Sequence, residues 1–148
     1  MDEVWVGREL HSLENMIRRY FEFSAHRKEV ETITGNNAWI IGYLSENGDK
    51  DIYQKDIENH FTITRSTASK VLTLMEQKGL IERRTVARDA RLKKIVLMDK
   101  AWKFHNIMRE DTEMMERTLT KGFTEEELRT LYSYVQRMKE NITSIGSD

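Results

Sequence analysis

The sequence predicts a mainly α-helical protein with a small β-hairpin wing. The expected core is a winged helix-turn-helix domain, flanked by long amphipathic helices at the N- and C-terminal ends. Three observations carry this expectation. First, Ala68, Val71, Leu72 and Met75 recur at intervals of three and four, the spacing of one helix face. Second, Lys78-Gly79 follows, a C-terminal cation and then a residue that takes positive φ, which together stop a helix. Two short alternating runs come next, residues 80–86 and 93–98, separated by a polar tip at 87–92. Third, charge is segregated. Residues 62–94 hold nine Lys/Arg (65, 70, 78, 83, 84, 88, 91, 93, 94) against three acids (76, 82, 89), a local charge of +6. The whole chain carries −1, so the remainder sums to −7.

Composition narrows the class further. A chain of 148 residues is expected to form one domain with a sizeable core. Proline is absent, so nothing forbids long uninterrupted helices. Cysteine is absent too, which excludes disulfides, thiolate metal sites and thiol redox sensing. No stretch approaches 18 apolar residues, and the acidic start MDEVWVGREL lacks the cationic opening and apolar run of a signal peptide. A cytoplasmic protein that does not engage membranes is expected. A pI near 6.5 argues against a generally polyanion-binding surface. Segregation outweighs it, because only the contacting face has to meet phosphate.

Taken in order, residues 5–28 carry Leu10, Leu13, Met16, Ile17, Tyr20 and Phe23 at helical spacing, with charges between them. A helix at the chain's start needs a partner for such a stripe, and the C-terminal helix is the candidate, within the chain or across a dimer. Residues 36–46 form a more apolar helix, ended by Asn47-Gly48. Asp51 with Gln54 fits a capping box, so a short helix is expected over residues 52–59. Residues 60–63 make a turn into a basic helix over 64–77, with Thr64 as its N-cap. Two short helices joined by about four residues form a helix-turn-helix, and the hairpin makes it winged. Asp99 is expected to cap the longest helix, of about twenty residues, which ends at Gly122. Thr124 with Glu127 forms a second capping box, opening a final helix with Leu128, Leu131, Tyr132, Val135, Met138 and Ile142. The tail, residues 146–148, is expected to fray.

If residues 64–77 enter a major groove, Ala68, Val71, Leu72 and Met75 face the core. Thr64, Arg65, Ser66, Thr67, Ser69 and Lys70 then face outward. Arginine can bond guanine bidentately, while serine and threonine reach a base or a phosphate, or simply cap the helix. On the hairpin, Arg83, Arg88, Asp89, Arg91 and Lys93 complete the candidate DNA-contacting set. An arginine on a thin β-tip suits a narrow A·T-rich minor groove. Asp89, two residues before Arg91, can hold that guanidinium through a bidentate pair. Without DNA the same pair is a solvated salt bridge contributing about 0–1 kcal/mol.

The run MEQKGLIERR followed by ARDARLKKIVLM resembles the MarR family of bacterial transcription regulators. Glu76, Gly79, Leu80 and Arg83 match the family segment that ends the recognition helix and starts the wing. Asp89 and Arg91 match its wing tip, and Leu97 the close of its second strand. Upstream, Ile57, Ile63, Ser66, Thr67 and Val71 fall in the register of the family's helix-turn-helix. Met75 and Met98 stand where leucine and threonine are usual, and Ala101 where glycine commonly follows. The resemblance implies a homodimer whose helices in 1–34 and 100–148 intertwine, with residues 36–98 as the DNA-binding region. Each recognition helix and wing would meet one half-site of a pseudopalindromic duplex, most simply as a repressor.

The resemblance also implies a crevice for a small aromatic or anionic effector, for which Tyr20, Phe23, Trp39, Tyr43 and Phe104 are the candidates. Core packing is the simpler account of aromatic residues at helical spacing. His11, His26, His60 and His105 are scattered, and only His26 with Glu29 and His105 with Glu110 lie near one another, so no metal or other cofactor is expected. No Gly-rich phosphate loop, nucleophile elbow or cysteine nucleophile appears, so no enzyme is expected. The rival is a winged-helix module that binds protein. It predicts acidic or apolar residues on the outer side of 64–77, where Arg65 and Lys70 stand instead.

Overall fold

A computed structural model describes residues 3–23 and 37–145. Over these the chain runs α1 (Val6–Glu22), α2 (Asn37–Glu46), α3 (Gln54–Phe61), α4 (Arg65–Gln77), β1 (Ile81–Val86), β2 (Asp89–Leu97), α5 (Asp99–Leu119) and α6 (Glu125–Ile145). It divides into two compact units, Met1–Asp111 and Thr112–Asp148. The mainly α fold with one hairpin is as expected. The end of the first expected helix beyond Phe23, residue 36, His26 with Glu29, and the tail at 146–148 lie outside the described residues.

The core of the first unit lies where the helix-turn-helix meets the root of the hairpin. Ile40, Ile41 and Leu44 of α2, Ile57 of α3, and Leu72 and Met75 of α4 form one buried cluster with Leu80, Ile81, Ile95 and Leu97. Ala101, Phe104 and Met108 close it from α5, each one turn from the next. A fully buried aliphatic side chain of this kind contributes about 1.5–3 kcal/mol. Val71, expected on the same face, is partly buried and packs against the cluster.

Three boundaries differ from the sequence reading, each for a local reason. The third helix begins at Gln54, not at residue 52, and Asp51 does not cap it. Ile52 is buried and extended, and its carbonyl accepts from the Ile95 N–H at 2.7 Å. Pairing with β2 therefore holds residues 51–53 out of the helix, and Asp56 Oδ2 accepts from the Tyr53 N–H at 2.8 Å in place of the Asp51 cap. The second strand begins at Asp89, so the turn shrinks to Ala87-Arg88. Partners run in register from Ile81↔Leu97 to Thr85↔Lys93 and then jump to Val86↔Asp89, leaving Ala90, Arg91 and Leu92 bulged from the ladder. Finally, Asp99 lies inside the first turn of α5, where its charge favours the helix N-terminus, and Met98 precedes it.

Two further helix ends are shifted: α3 runs on to Phe61 rather than stopping at residue 59, and α5 ends at Leu119, before Gly122. The ends of α4 and the start of α6 are as read. Gly79 has φ +75°. Its N–H donates to Glu76 O and that of Leu80 to Met75 O, both at 3.0 Å, closing α4 in a Schellman turn. Thr124 Oγ accepts from the Glu127 N–H at 3.1 Å while Glu127 Oε2 accepts from the Thr124 N–H at 2.7 Å, a reciprocal capping box.

The terminal helices are the exception to burial. No residue of α1 or of α6 is buried. Val6, Leu10, Leu13 and Met16 stay exposed on α1, as do Leu131, Tyr132 and Ile142 on α6. Amphipathic stripes this long are stable in water only when something covers them.

Candidate nucleic-acid interface

The outer face of α4 is built from its cap outward. Thr64 is extended at ψ 159°, and its hydroxyl accepts from the Thr67 N–H at 3.2 Å. The same hydroxyl donates to Thr67 Oγ at 2.9 Å and lies 3.2 Å from Ser66 Oγ. Thr64 is thus committed to ordering the first turn. Arg65, Ser66, Thr67, Ser69 and Lys70 are exposed together, while Ala68 between them is buried. Gln54 Nε2 donates to Arg65 O at 3.3 Å, tying the start of α3 to that of α4. At the other end Lys100 Nζ donates to Lys78 O at 3.0 Å, placing a cation on the helix C-terminus.

Arg83, expected among the DNA-contacting residues, is engaged inside the protein. Its N–H and Nε donate to Glu76 Oε2 at 3.1 and 3.3 Å, and Nη2 donates to Glu76 Oε1 at 3.3 Å and Thr73 Oγ at 3.4 Å. A two-oxygen fork of this kind fixes direction as well as distance, so Arg83 locks β1 against the last turn of α4. The sequence offered both residues in one motif, but a spacing of seven across a helix end does not reveal that they pair.

Arg83's hydrogen bonds hold the Glu76 carboxyl below the usual carboxylate value against its partial desolvation, with further help from the charge of Lys93. A depressed carboxyl pKa stabilises the fold above the unfolded value, about 4.3, and that contribution is lost as pH falls through the folded value. The Glu76 side chain is 40% exposed, so solvent screening limits the effect to about 1 kcal/mol or less. Glu76→Gln should lower Tm by about 1–4 °C at pH 7, with the gap to the parent closing towards pH 3. A gap independent of pH would contradict this role.

At the wing tip Asp89 and Arg91 do meet, though not as the expected bidentate pair. Asp89 Oδ1 alone accepts, from the Arg91 N–H at 2.9 Å and from Arg91 Nε at 3.4 Å. The bulge turns the Arg91 backbone towards the carboxylate, and its guanidinium points outward, with the side chain 92% exposed. Lys93 is exposed beside it on β2. Arg88 folds back instead: Nη2 donates to the Tyr53 hydroxyl at 3.0 Å, and the guanidinium carbon lies 5.8 Å from that ring's centre. Tyr53 was not among the residues singled out from the sequence. Lys94 Nζ approaches Asp51 Oδ1 at 3.8 Å, and Arg84 pairs with Glu82 at 3.0 Å.

The five aromatic residues expected to line a crevice separate into different roles. Phe104 is buried in the core and fills it. Tyr43 packs against the core and stacks on His60, ring centres 4.2 Å apart. Tyr20, Phe23 and Trp39 are exposed. Among the described residues no cluster of three His, Asp or Glu side chains is placed to hold a metal ion. No described helix is long and apolar enough to cross a membrane.

Fold and site together define a winged helix-turn-helix protein whose exposed recognition-helix residues and wing tip are cationic. The MarR family model matches residues 32–92. The crystal structure of the transcription regulator MarR from Oenococcus oeni PSU-1 is 34% identical, covering 92% of this chain and 99% of that one, with a TM-score of 0.81. This chain belongs to the MarR family of transcription regulators, which are not enzymes. The S. aureus MepR–DNA complex shares the fold, with a TM-score of 0.79 at 23% identity over 96% of this chain and 99% of that one. An uncharacterized HTH-type transcriptional regulator of Bacillus subtilis, YybA, is 23% identical over 93% of this chain and 83% of its own length.

Proposed function

We propose that this regulator is a cytoplasmic repressor that binds a pseudopalindromic operator as a homodimer, with all 148 residues acting as one functional domain. The observation that supports it most is the +6 segment on an acidic body, with Arg65, Ser66, Thr67, Ser69 and Lys70 exposed together. These side chains would read the major groove, and Arg91 the adjoining minor groove, with Lys93 on phosphate. Thr64, Arg83, Arg88 and Asp89 belong to the interface as residues that position the others. Helices in 1–34 and 100–148 would pair across the two-fold axis, which accounts for the bare stripes of α1 and α6. Residues 36–98 would then meet one half-site per subunit. An operator overlapping a promoter would make such a dimer a repressor, since blocking polymerase requires no contact with it. A small aromatic or anionic effector would bind against Tyr20, Phe23, Trp39 and Tyr43, and Phe104 is withdrawn from that set because the core already uses it.

Selection from a random duplex pool with purified protein tests this reading. The expected product is an inverted repeat with half-sites about one helical turn apart and A·T-rich flanks. A pool that stays unenriched at moderate salt contradicts it.

A further inference from the structure

We infer that Tyr53 is a positioning residue for the wing: its side chain latches Arg88 and thereby aims the tip that carries Arg91. The inference rests on the DNA-binding reading above and adds a residue which neither the motifs nor the charge pattern singled out.

Tyr53 sits where three segments are joined. The residue before it is fixed to the wing by the 2.7 Å bond from the Ile95 N–H to Ile52 O. The residue after it, Gln54, reaches Arg65 O at the start of the recognition helix at 3.3 Å. Tyr53 itself is held by Asp56 Oδ2, which accepts from its N–H at 2.8 Å. Its backbone is therefore set relative to both reading elements, and its half-buried side chain extends from that point to the tip. There the hydroxyl accepts from Arg88 Nη2 at 3.0 Å, and the ring face lies 5.8 Å from the guanidinium carbon.

The tip needs such a tie. A two-stranded ribbon is marginally stable alone and bends readily, and here the ladder slips between Thr85 and Val86, so that Ala90, Arg91 and Leu92 lack register partners. Arg88 stands in the turn, three residues before Arg91. Fixing Arg88 to Tyr53 restricts where the Arg91 guanidinium can travel, and a charge that must enter a narrow groove loses less freedom on binding when it starts near its final place. In this arrangement Arg88 serves Tyr53 and not a phosphate.

The test is a double-mutant cycle with Tyr53→Phe, Arg88→Ala and the pair, measured on the selected operator and on versions whose A·T flanks are replaced by G·C. Phenylalanine keeps the ring and removes the acceptor. Each single change should weaken operator binding by about three- to tenfold. The double variant should bind no more weakly than Arg88→Ala, because both remove one latch. The loss should fall on flank discrimination, leaving discrimination at the central base pairs and the melting temperature at parental values, and the slope of log K against log salt should change by less than one counterion. Tyr53→Phe binding like the parent, additive losses, a loss equal at all positions, or a slope reduced by about 0.9 in Arg88→Ala would overturn the latch. A parent protein that binds no duplex specifically would overturn the DNA reading, and the latch with it.

Discussion

Leu10→Glu combined with Leu13→Glu is expected to give a folded monomer whose operator affinity falls by about 10²- to 10⁴-fold. The two leucines lie one turn apart on α1, a helix with no buried residue, and are 45% and 40% exposed. Replacing them removes little that holds the protomer together. Across a two-fold axis the same substitutions place four carboxylates in an apolar seam, where unpaired charge is strongly disfavoured. The affinity loss follows from geometry rather than from any lost DNA contact. Two half-sites on one dimer bind with the second event intramolecular, and a monomer forfeits that gain. Sedimentation equilibrium and circular dichroism provide the check. A variant that stays dimeric, or a monomer that binds the operator like the parent, would show that the α1 stripe does something else.

Arg91→Ala is expected to weaken operator binding by about 5- to 150-fold, equivalent to 1–3 kcal/mol, without lowering the melting temperature. The side chain is 92% exposed, and its contacts run to a single Asp89 oxygen. Removing it leaves no buried partner unsatisfied. Its expected contribution is electrostatic and confined to the groove, so the loss should shrink on operators whose flanks are G·C-rich, where the minor groove is wider and less negative. Asp89→Ala should have the same signature at smaller amplitude, since Asp89 directs Arg91 without touching DNA. An Arg91→Ala protein that binds with parental affinity, or that melts early, would remove Arg91 from the readout.

Much of this was legible in the sequence wherever local chemistry decides the outcome. The boundaries of α4 follow from Thr64, from the apolar spacing and from Gly79, and each is a one-dimensional signal. The capping box at Thr124 and Glu127 is another. Legibility failed where tertiary pairing overrode a local motif. Asp51 and Gln54 have the spacing of a cap, but Ile52 pairs with β2 and is buried, so the helix starts later. Arg83 looked like one more cation in a basic segment, and only the folded geometry gives it Glu76 as a partner. The Tyr53–Arg88 contact spans 35 positions and carries no sequence pattern at all. Phe104, a crevice candidate through the family resemblance, is core, because α5 follows β2 almost at once and Phe104 joins the same cluster as Ile95 and Leu97.

These corrections share a direction. Cations expected to touch DNA divide into those folded back onto the protein (Arg83 and Arg88) and those left exposed to reach out (Arg65, Lys70, Lys93, and Arg91 with its one tie to Asp89). A surface on which every cation were free would bind any polyanion. Holding some of them converts charge into orientation, and orientation separates specific from non-specific binding.

The most direct measurement is an equilibrium titration of the parent dimer against the selected operator and a shuffled duplex of equal length at about 150 mM salt. The operator should bind with Kd of about 10⁻⁸–10⁻¹¹ M and at least about 10³-fold more tightly than the shuffled duplex. Equal affinity for the two would contradict sequence-specific recognition by residues 62–98.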